Sequence, residues 1–157
     1  MTAPRPTVGD PIPNWEMAEV SETRMQLLAA ILRDPNPIHW DRDEVDARGL
    51  GRRLINQGPT NVGYVVNALL DWAGAGSLKK LRVRFTSNVF DGESLTAGGE
   101  VTGIRSVDGE TLIDCSIALW HSDGRTAVEG EATVTWNTDD RQHEPQPARK
   151  GSPDGSE

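Results

Sequence analysis

Gly58-Pro59-Thr60-Asn61-Val62-Gly63-Tyr64-Val65-Val66-Asn67-Ala68-Leu69-Leu70-Asp71-Trp72-Ala73-Gly74 gives way, after Gly76, to Lys80-Leu81-Arg82-Val83-Arg84-Phe85, and the change of period between these stretches decides the fold. In the first, Val62, Val65, Val66, Leu69 and Leu70 recur at helical spacing, with Pro59 expected at the first helical position and Gly74 at the end. Tyr64, Ala68 and Trp72 fill the other side, so the pattern predicts a helix buried nearly all round. In the second, Leu81, Val83 and Phe85 alternate with bases, the period-two mark of a half-buried strand.

Downstream the alternation continues through Leu95, Ala97, Gly99 and Val101. Asp108-Gly109 signals a hairpin turn; Ile113, Cys115, Ile117 and Leu119 then share a face, Ser122-Asp123-Gly124 turns, and Val128, Ala132, Val134 and Trp136 share a face on return. The expectation is an antiparallel meander of at least four strands. Upstream, Ser21 and Glu22 open a helix in which Met25, Leu28, Ala29 and Leu32 form the apolar stripe, and Pro35 stops it. Helices followed by strands imply an α+β protein, with the 58–74 helix as the element apolar enough to cover the sheet.

The chain has 157 residues, enough for one domain with one modest core. Its longest apolar runs fall far short of the ~20 residues that cross a bilayer, so no membrane span is expected. Met1-Thr2-Ala3-Pro4-Arg5-Pro6 leads into no apolar run, which predicts a chain without a secretory signal and a cytoplasmic location. The formal charge of −8 disfavours nucleic acid as a partner, because phosphate binding asks for a basic stripe. Three histidines and the lone Cys115 are too scattered for a zinc site, so no metal is expected. Residues 137–157 carry no apolar side chain larger than alanine and read as a disordered polar tail, leaving residues 1–136 as the domain.

Most chemical motifs fail. Gly49-Leu50-Gly51 and Gly74-Ala75-Gly76 lack the strand and the third glycine of a phosphate loop, and read as loop and helix-end glycines. Asp34-Pro35-Asn36 starts like a calcium loop, but Ile38, His39 and Val45 stand where ligands and the turn glycine belong. No G-x-S-x-G elbow is present.

Asp34-Pro35-Asn36-Pro37-Ile38-His39 is the informative segment: a carboxylate and an imidazole on a chain stiffened by two prolines. Such a pair suits proton transfer to and from water, and the prolines suit a positioned site. The residues alone also allow a plainer reading, in which Asp34 caps a chain end and His39 is a satisfied core histidine.

That segment, together with Ile55-Asn56-Gln57-Gly58, Val83-Arg84-Phe85 and Asp91-Gly92-Glu93-Ser94-Leu95, resembles the MaoC-like dehydratases, which include the R-specific enoyl-CoA hydratases. The resemblance spans about residues 8 to 136. It implies a single hotdog domain, an antiparallel sheet wrapped around a long central helix, paired as a homodimer or with a related hotdog subunit as a heterodimer. It implies reversible hydration of trans-2-enoyl thioesters, or dehydration of (R)-3-hydroxyacyl thioesters, with coenzyme A or a carrier protein carrying the acyl group and no further cofactor. Asp34 and His39 are then the catalytic pair holding one water. Gly58 matches the glycine whose N–H faces the thioester oxygen, and Asn36 orients the loop or the water. Two plainer roles stay open: Gly58 as a helix cap and Asn36 in an Asx-type turn.

Three departures stand out against that family pattern. Arg33 replaces a glycine before the aspartate, Asn56-Gln57 replaces alanine-histidine before the helix, and Pro59-Thr60 replaces apolar residues. They bear on the acyl entrance, so the same chemistry on a bulky sterol or polyketide acyl thioester is an alternative. A non-catalytic subunit of a heteromeric hydratase is another. Arg48, Arg52, Arg53, Lys79, Lys80, Arg82 and Arg84 cluster in an otherwise acidic chain, where carrier phosphates and a solvated strand face are both admissible readings. Cys115 reads as a core residue.

Overall fold

Asp108 and Gly109 have φ of 48° and 84°, the two positive values that a two-residue hairpin turn requires. They join strands β3 (Leu95–Val107) and β4 (Glu110–His121), paired from Leu95 with His121 to Val107 with Glu110. The computed structural model describes residues 5–136. The expected disordered tail at 137–157 lies outside them.

The turn at Ser122-Asp123-Gly124 leads into β5 (Thr126–Thr135), antiparallel to β4. The strand read from Leu81, Val83 and Phe85 is β2 (Leu78–Phe85). It pairs with β5 and lies at a sheet edge, so the expected simple meander is corrected: the order is β1-β3-β4-β5-β2. The other edge is β1 (Pro11–Met17), which the sequence reading missed. Only Ile12 is buried in it, two prolines interrupt it, and its register slips between Ile12 and Trp15. Proline is tolerated there because an edge strand leaves half its amides unpaired in the ladder.

Helix α1 (Glu22–Leu32) starts where expected, with the Ser21 hydroxyl accepting from the Arg24 N–H at 3.4 Å. Its buried stripe is narrower than predicted: Met25 and Ala29 are inside, Leu28 is half-buried, and Leu32 is exposed. A short helix, α2 (Arg42–Ala47), follows, capped by the Asp41 carboxylate, which accepts from the Asp43 and Glu44 amides. Helix α3 (Gly58–Ala73) begins with Gly58, and Pro59 is its second residue rather than its first.

Along α3, Asn61, Val65, Ala68, Leu69 and Ala73 form one buried face against the sheet. Trp15 of β1 stacks on Tyr64 at 5.5 Å, and Trp72 meets Trp136 at 5.2 Å, so both ends of the helix are pinned. Burial nearly all round is not what this chain shows. Val62, Val66 and Leu70 are half-buried, while Asn67 and Asp71 are exposed, because a single sheet covers only one side of a helix. Phe85, expected inside with Leu81 and Val83, is 53% exposed with its ring beside Gly58.

The core joins α3 to the inner sheet face through Leu95, Ala97, Val101, Ile113, Cys115, Ile117, Leu119, Val128 and Val134. These are the residues the alternation placed together, with Cys115 among them as expected. Burying each large member contributes roughly 1.5–3 kcal/mol. Among the described residues no helix is long and apolar enough to cross a membrane.

Candidate active site

The site grows from the end of α1. Arg33 caps that helix in the left-handed region, φ 51° and ψ 40°, with its N–H shared between the Ala29 and Ala30 carbonyls. That turn releases the chain at Asp34, whose own N–H returns to the Ala29 carbonyl at 2.9 Å. Asp34 Oδ1 accepts the Asn36 N–H at 3.1 Å, so the Asx-type turn between the prolines belongs to Asp34 and not to Asn36. Residues Pro37–His39 then form one 3-10 turn.

This compact path brings His39 back to the aspartate: His39 Nε2 lies 3.2 Å from Asp34 Oδ2, with His39 side-chain exposure at 7% and Asp34 at 30%. The other ring nitrogen, Nδ1, lies 2.5 Å from the Ile55 carbonyl oxygen. A carbonyl only accepts, so Nδ1 carries the hydrogen, and Nε2 is the basic nitrogen turned toward the carboxylate. The arrangement thus turns one proton-exchanging nitrogen and one carboxylate oxygen toward the same small region, which is what activating a water requires. Asp34 also caps locally and His39 is also buried, so the plainer roles are present alongside that geometry.

Asn36 does not join that pair. Its side-chain oxygen accepts weakly from Arg48 Nη1 at 3.4 Å, which ties the loop to the end of α2. Gly58 sits three residues beyond Ile55, as the first residue of α3, with Gln57 as the cap, so the reading of Gly58 itself as N-cap is corrected. Its N–H belongs to the helix's first turn, where amides lack intrahelical acceptors and the dipole favours negative charge. A Cβ at Gly58 would stand 3.2 Å from the Phe85 ring, so glycine allows the close approach of β2 to the helix start.

Of the residues that depart from the family pattern, Asn56 and Gln57 are buried at this helix start, while Arg33 and Pro59 are exposed. Gln57, fully buried, donates to the Met25 carbonyl at 2.8 Å, and Asn56 donates to Asn61 Oδ1 at 2.7 Å. Burial raises the Tyr64 hydroxyl pKa, with the Asn56 side chain beside it pulling the other way. Of the bases grouped by sequence, Arg48, Arg52, Arg53, Lys79 and Arg84 sit in ion pairs with nearby acids. Lys80, Arg82 and Arg84, the bases the solvated-face reading covers, are all exposed on β2.

Two features of the site carried no signal in the sequence. One is the Ile55 carbonyl, since a backbone acceptor looks the same at every residue. The other lies behind it: Arg42 bridges Glu22 at 2.6 Å and Asp91 at 2.9 Å, and Glu93 meets Arg53 at 3.1 Å and His121 at 2.9 Å. The hydrogen bond to Asp91, then that to Glu22, raises the Arg42 pKa further above its usual value. The Arg42 contacts span 20 and 49 residues of chain, and no local spacing encodes them.

The family model described as MaoC like domain matches residues 5–117. No curated protein matches. Among solved structures, the (R)-hydratase from A. caviae involved in PHA biosynthesis is 25% identical, with 86% of this chain and 100% of that one covered at a TM-score of 0.74. R-Hydratase PhaJ1 from Pseudomonas aeruginosa is 23% identical, with 85% and 83% covered at 0.73. The ChsH1-ChsH2 complex from Mycobacterium tuberculosis is 23% identical, with 83% and 98% covered at 0.72.

Proposed function

Because this chain belongs to the MaoC-like dehydratase family of hydro-lyases, we propose that it adds water reversibly across the double bond of a trans-2-enoyl thioester, giving an (R)-3-hydroxyacyl thioester, with coenzyme A as carrier. The observation that carries the reading is the pair of contacts made by His39, Nδ1 to the Ile55 carbonyl and Nε2 to Asp34. In hydration, water held between Asp34 and His39 loses a proton to Nε2 as its oxygen bonds to C3. The electron pair of the double bond moves toward the thioester, and the proton taken up by Nε2 is relayed to C2 through the water site or Asp34, so that both groups return to their starting state. The thioester oxygen carries the transient negative charge, and the first-turn amides at the start of α3, that of Gly58 among them, suit it as donors. Asn36 acts on the loop, through Arg48. The step so written is an addition of water with proton transfers and no change of redox level in any added group, so it calls for no redox cofactor.

The test is loss of the conjugated enoyl-thioester absorbance over a ladder of trans-2-enoyl-CoA substrates, from short chains to sterol side chains, with Asp34→Asn and His39→Gln beside wild type. Turnover lost in both folded variants supports the assignment, and the ladder ranks acyl size. Inactivity of folded wild type on the whole ladder overturns it for the lone chain.

A second reading is favoured by the half-buried Val62, Val66 and Leu70 on α3: the chain works paired with a copy of itself or with a related hotdog subunit. The similarity to the ChsH1-ChsH2 complex is compatible with a heteromeric pairing. Sedimentation of the chain alone distinguishes a homodimer from a subunit awaiting its partner.

A further inference from the structure

We infer that Glu93 is a positioning residue for His39, acting through Phe90 and Ile55; the inference rests on the reading above that His39 is the base. Glu93 lies in the crossover between β2 and β3, with only 13% of its side chain exposed. Its Oε2 accepts the Phe90 N–H at 3.0 Å and lies 2.9 Å from His121 Nδ1, a close contact without hydrogen-bond alignment. Its Oε1 faces Arg53 Nη2 at 3.1 Å and Arg125 Nη2 at 3.9 Å. Removing a carboxylate from water is costly, and it persists where several partners compensate it.

What this carboxylate holds is the turn that backs the site. Phe90 forms an isolated bridge with Ile55, the Asp91 N–H donates to the Leu54 carbonyl at 3.0 Å, and the Asn56 N–H donates to the Val89 carbonyl at 2.7 Å. Arg53 reinforces the same turn from outside, its guanidinium 4.6 Å above the Phe90 ring. Toward the site, the Ile55 N–H donates to the Ile38 carbonyl at 3.0 Å and its own carbonyl takes the His39 Nδ1 hydrogen. Residues 54–56 are therefore clamped between the loop that bears His39 and the crossover that Glu93 closes. The lever is short: a shift of Phe90 moves Ile55, and a shift of the Ile55 carbonyl turns the imidazole.

Ser87, His121 and Glu93 also stand in the order of a nucleophile, a base and an orienting acid, with Ser87 Oγ 2.9 Å from His121 Nε2. The Ser87 hydroxyl gives its one hydrogen to the Thr126 carbonyl at 2.9 Å, so Nε2 has no serine proton to take. The array is an anchor for the crossover, not a second hydrolytic centre.

The test follows the His39 ring by NMR titration of the full chain, a readout that needs no turnover, alongside kcat and KM on an enoyl-CoA. Glu93→Ala removes the Phe90 acceptor, and Glu93→Asp withdraws the carboxylate by one methylene while keeping its charge. Asp34, the acid facing Nε2, is unchanged in both. The expected result is a His39 midpoint moved by about half a pH unit or more, with kcat down roughly tenfold at little-changed KM, as small misplacement of a catalytic group produces. A purely structural role lowers the melting temperature and leaves the His39 midpoint where it was. Wild-type titration and kcat in a folded Glu93→Ala overturn the inference; if that variant does not fold, the same outcome in Glu93→Asp does so. Wild-type inactivity on every enoyl thioester would sink the hydratase reading, while the titration would still decide whether Glu93 is coupled to His39.

Discussion

His39 Nδ1 and the Ile55 carbonyl oxygen stand 2.5 Å apart, and that one contact selects which imidazole nitrogen faces Asp34. It also sets up a comparison of two substitutions. In His39→Asn the amide nitrogen takes the place of Nδ1 and keeps the bond to Ile55, whereas His39→Ala leaves a buried carbonyl unpaired, at a cost of about 1–3 kcal/mol. Both variants are expected to lose about 10²–10⁴ in kcat, as removal of a general base does. Thermal unfolding separates them: the asparagine variant stays close to wild type and the alanine variant melts several degrees lower.

Arg33 adopts φ 51°, ψ 40° immediately before Asp34, a conformation in which a side chain is strained and glycine is not. Arg33→Gly removes that strain, offset in part by the added freedom of the unfolded chain. Urea unfolding should show the variant at least as stable as wild type, by up to about 1 kcal/mol. Arg33→Ala keeps the strained backbone and serves as control. If Arg33→Gly and Arg33→Ala both fell below wild type by the same amount, the guanidinium, and not the backbone, would govern this cap.

Those two positions show what the sequence makes legible. The 34–39 motif named the pair because its residues lie within one turn of chain, and prolines announce the bends between them. Alternation in β3, β4 and β5 located the inner face, because these central strands are covered on one side by α3 and open on the other. The edge strands were misread for the complementary reason: β1 has one buried residue, and Phe85 in β2 faces out despite its character. Which strand pairs with β2 depends on the 86–94 crossover, and the Glu93 anchor depends on His121 and Arg53, which are 28 and 40 residues away. Separations of that size leave no periodic trace.

Gly99 and Gly130 occupy central positions in β3 and β5 where the alternation would accept any small residue. A Cβ at Gly99 would lie 2.0 Å from the Ser116 carbonyl oxygen, and one at Gly130 would lie 2.0 Å from that of Arg82. Both obstacles are backbone atoms of the neighbouring strand, which cannot swing aside as a side chain would. Gly99→Ala and Gly130→Ala should each cost about 3 kcal/mol or more by forcing the sheet apart, against about 1 kcal/mol of gain in strand propensity. Chemical denaturation checks this, with Gly109→Asn at the exposed turn as the tolerated comparison. An alanine at either strand position with wild-type stability would mean that the local strand geometry relaxes freely.

Cys115 is 1% exposed on the inner face of β4, and burial, with the Asp114 charge as a smaller contribution, pushes its thiol from the usual 9.0 up to about 12. The unfolded chain therefore releases this proton at a lower pH than the folded one. In the window between those two values the unfolded state binds fewer protons, so the stability due to this group is intact below about pH 9 and is lost as pH rises toward about 12. Urea midpoints for wild type and Cys115→Ala should accordingly converge as pH is raised from about 8 to about 11, the wild type losing more. Alkylation tests the same burial directly: iodoacetamide should label the native chain at the slow rate of global or local opening, and the urea-unfolded chain at once. Rapid labelling of native protein at neutral pH would place the thiol in an accessible environment and remove Cys115 from the core.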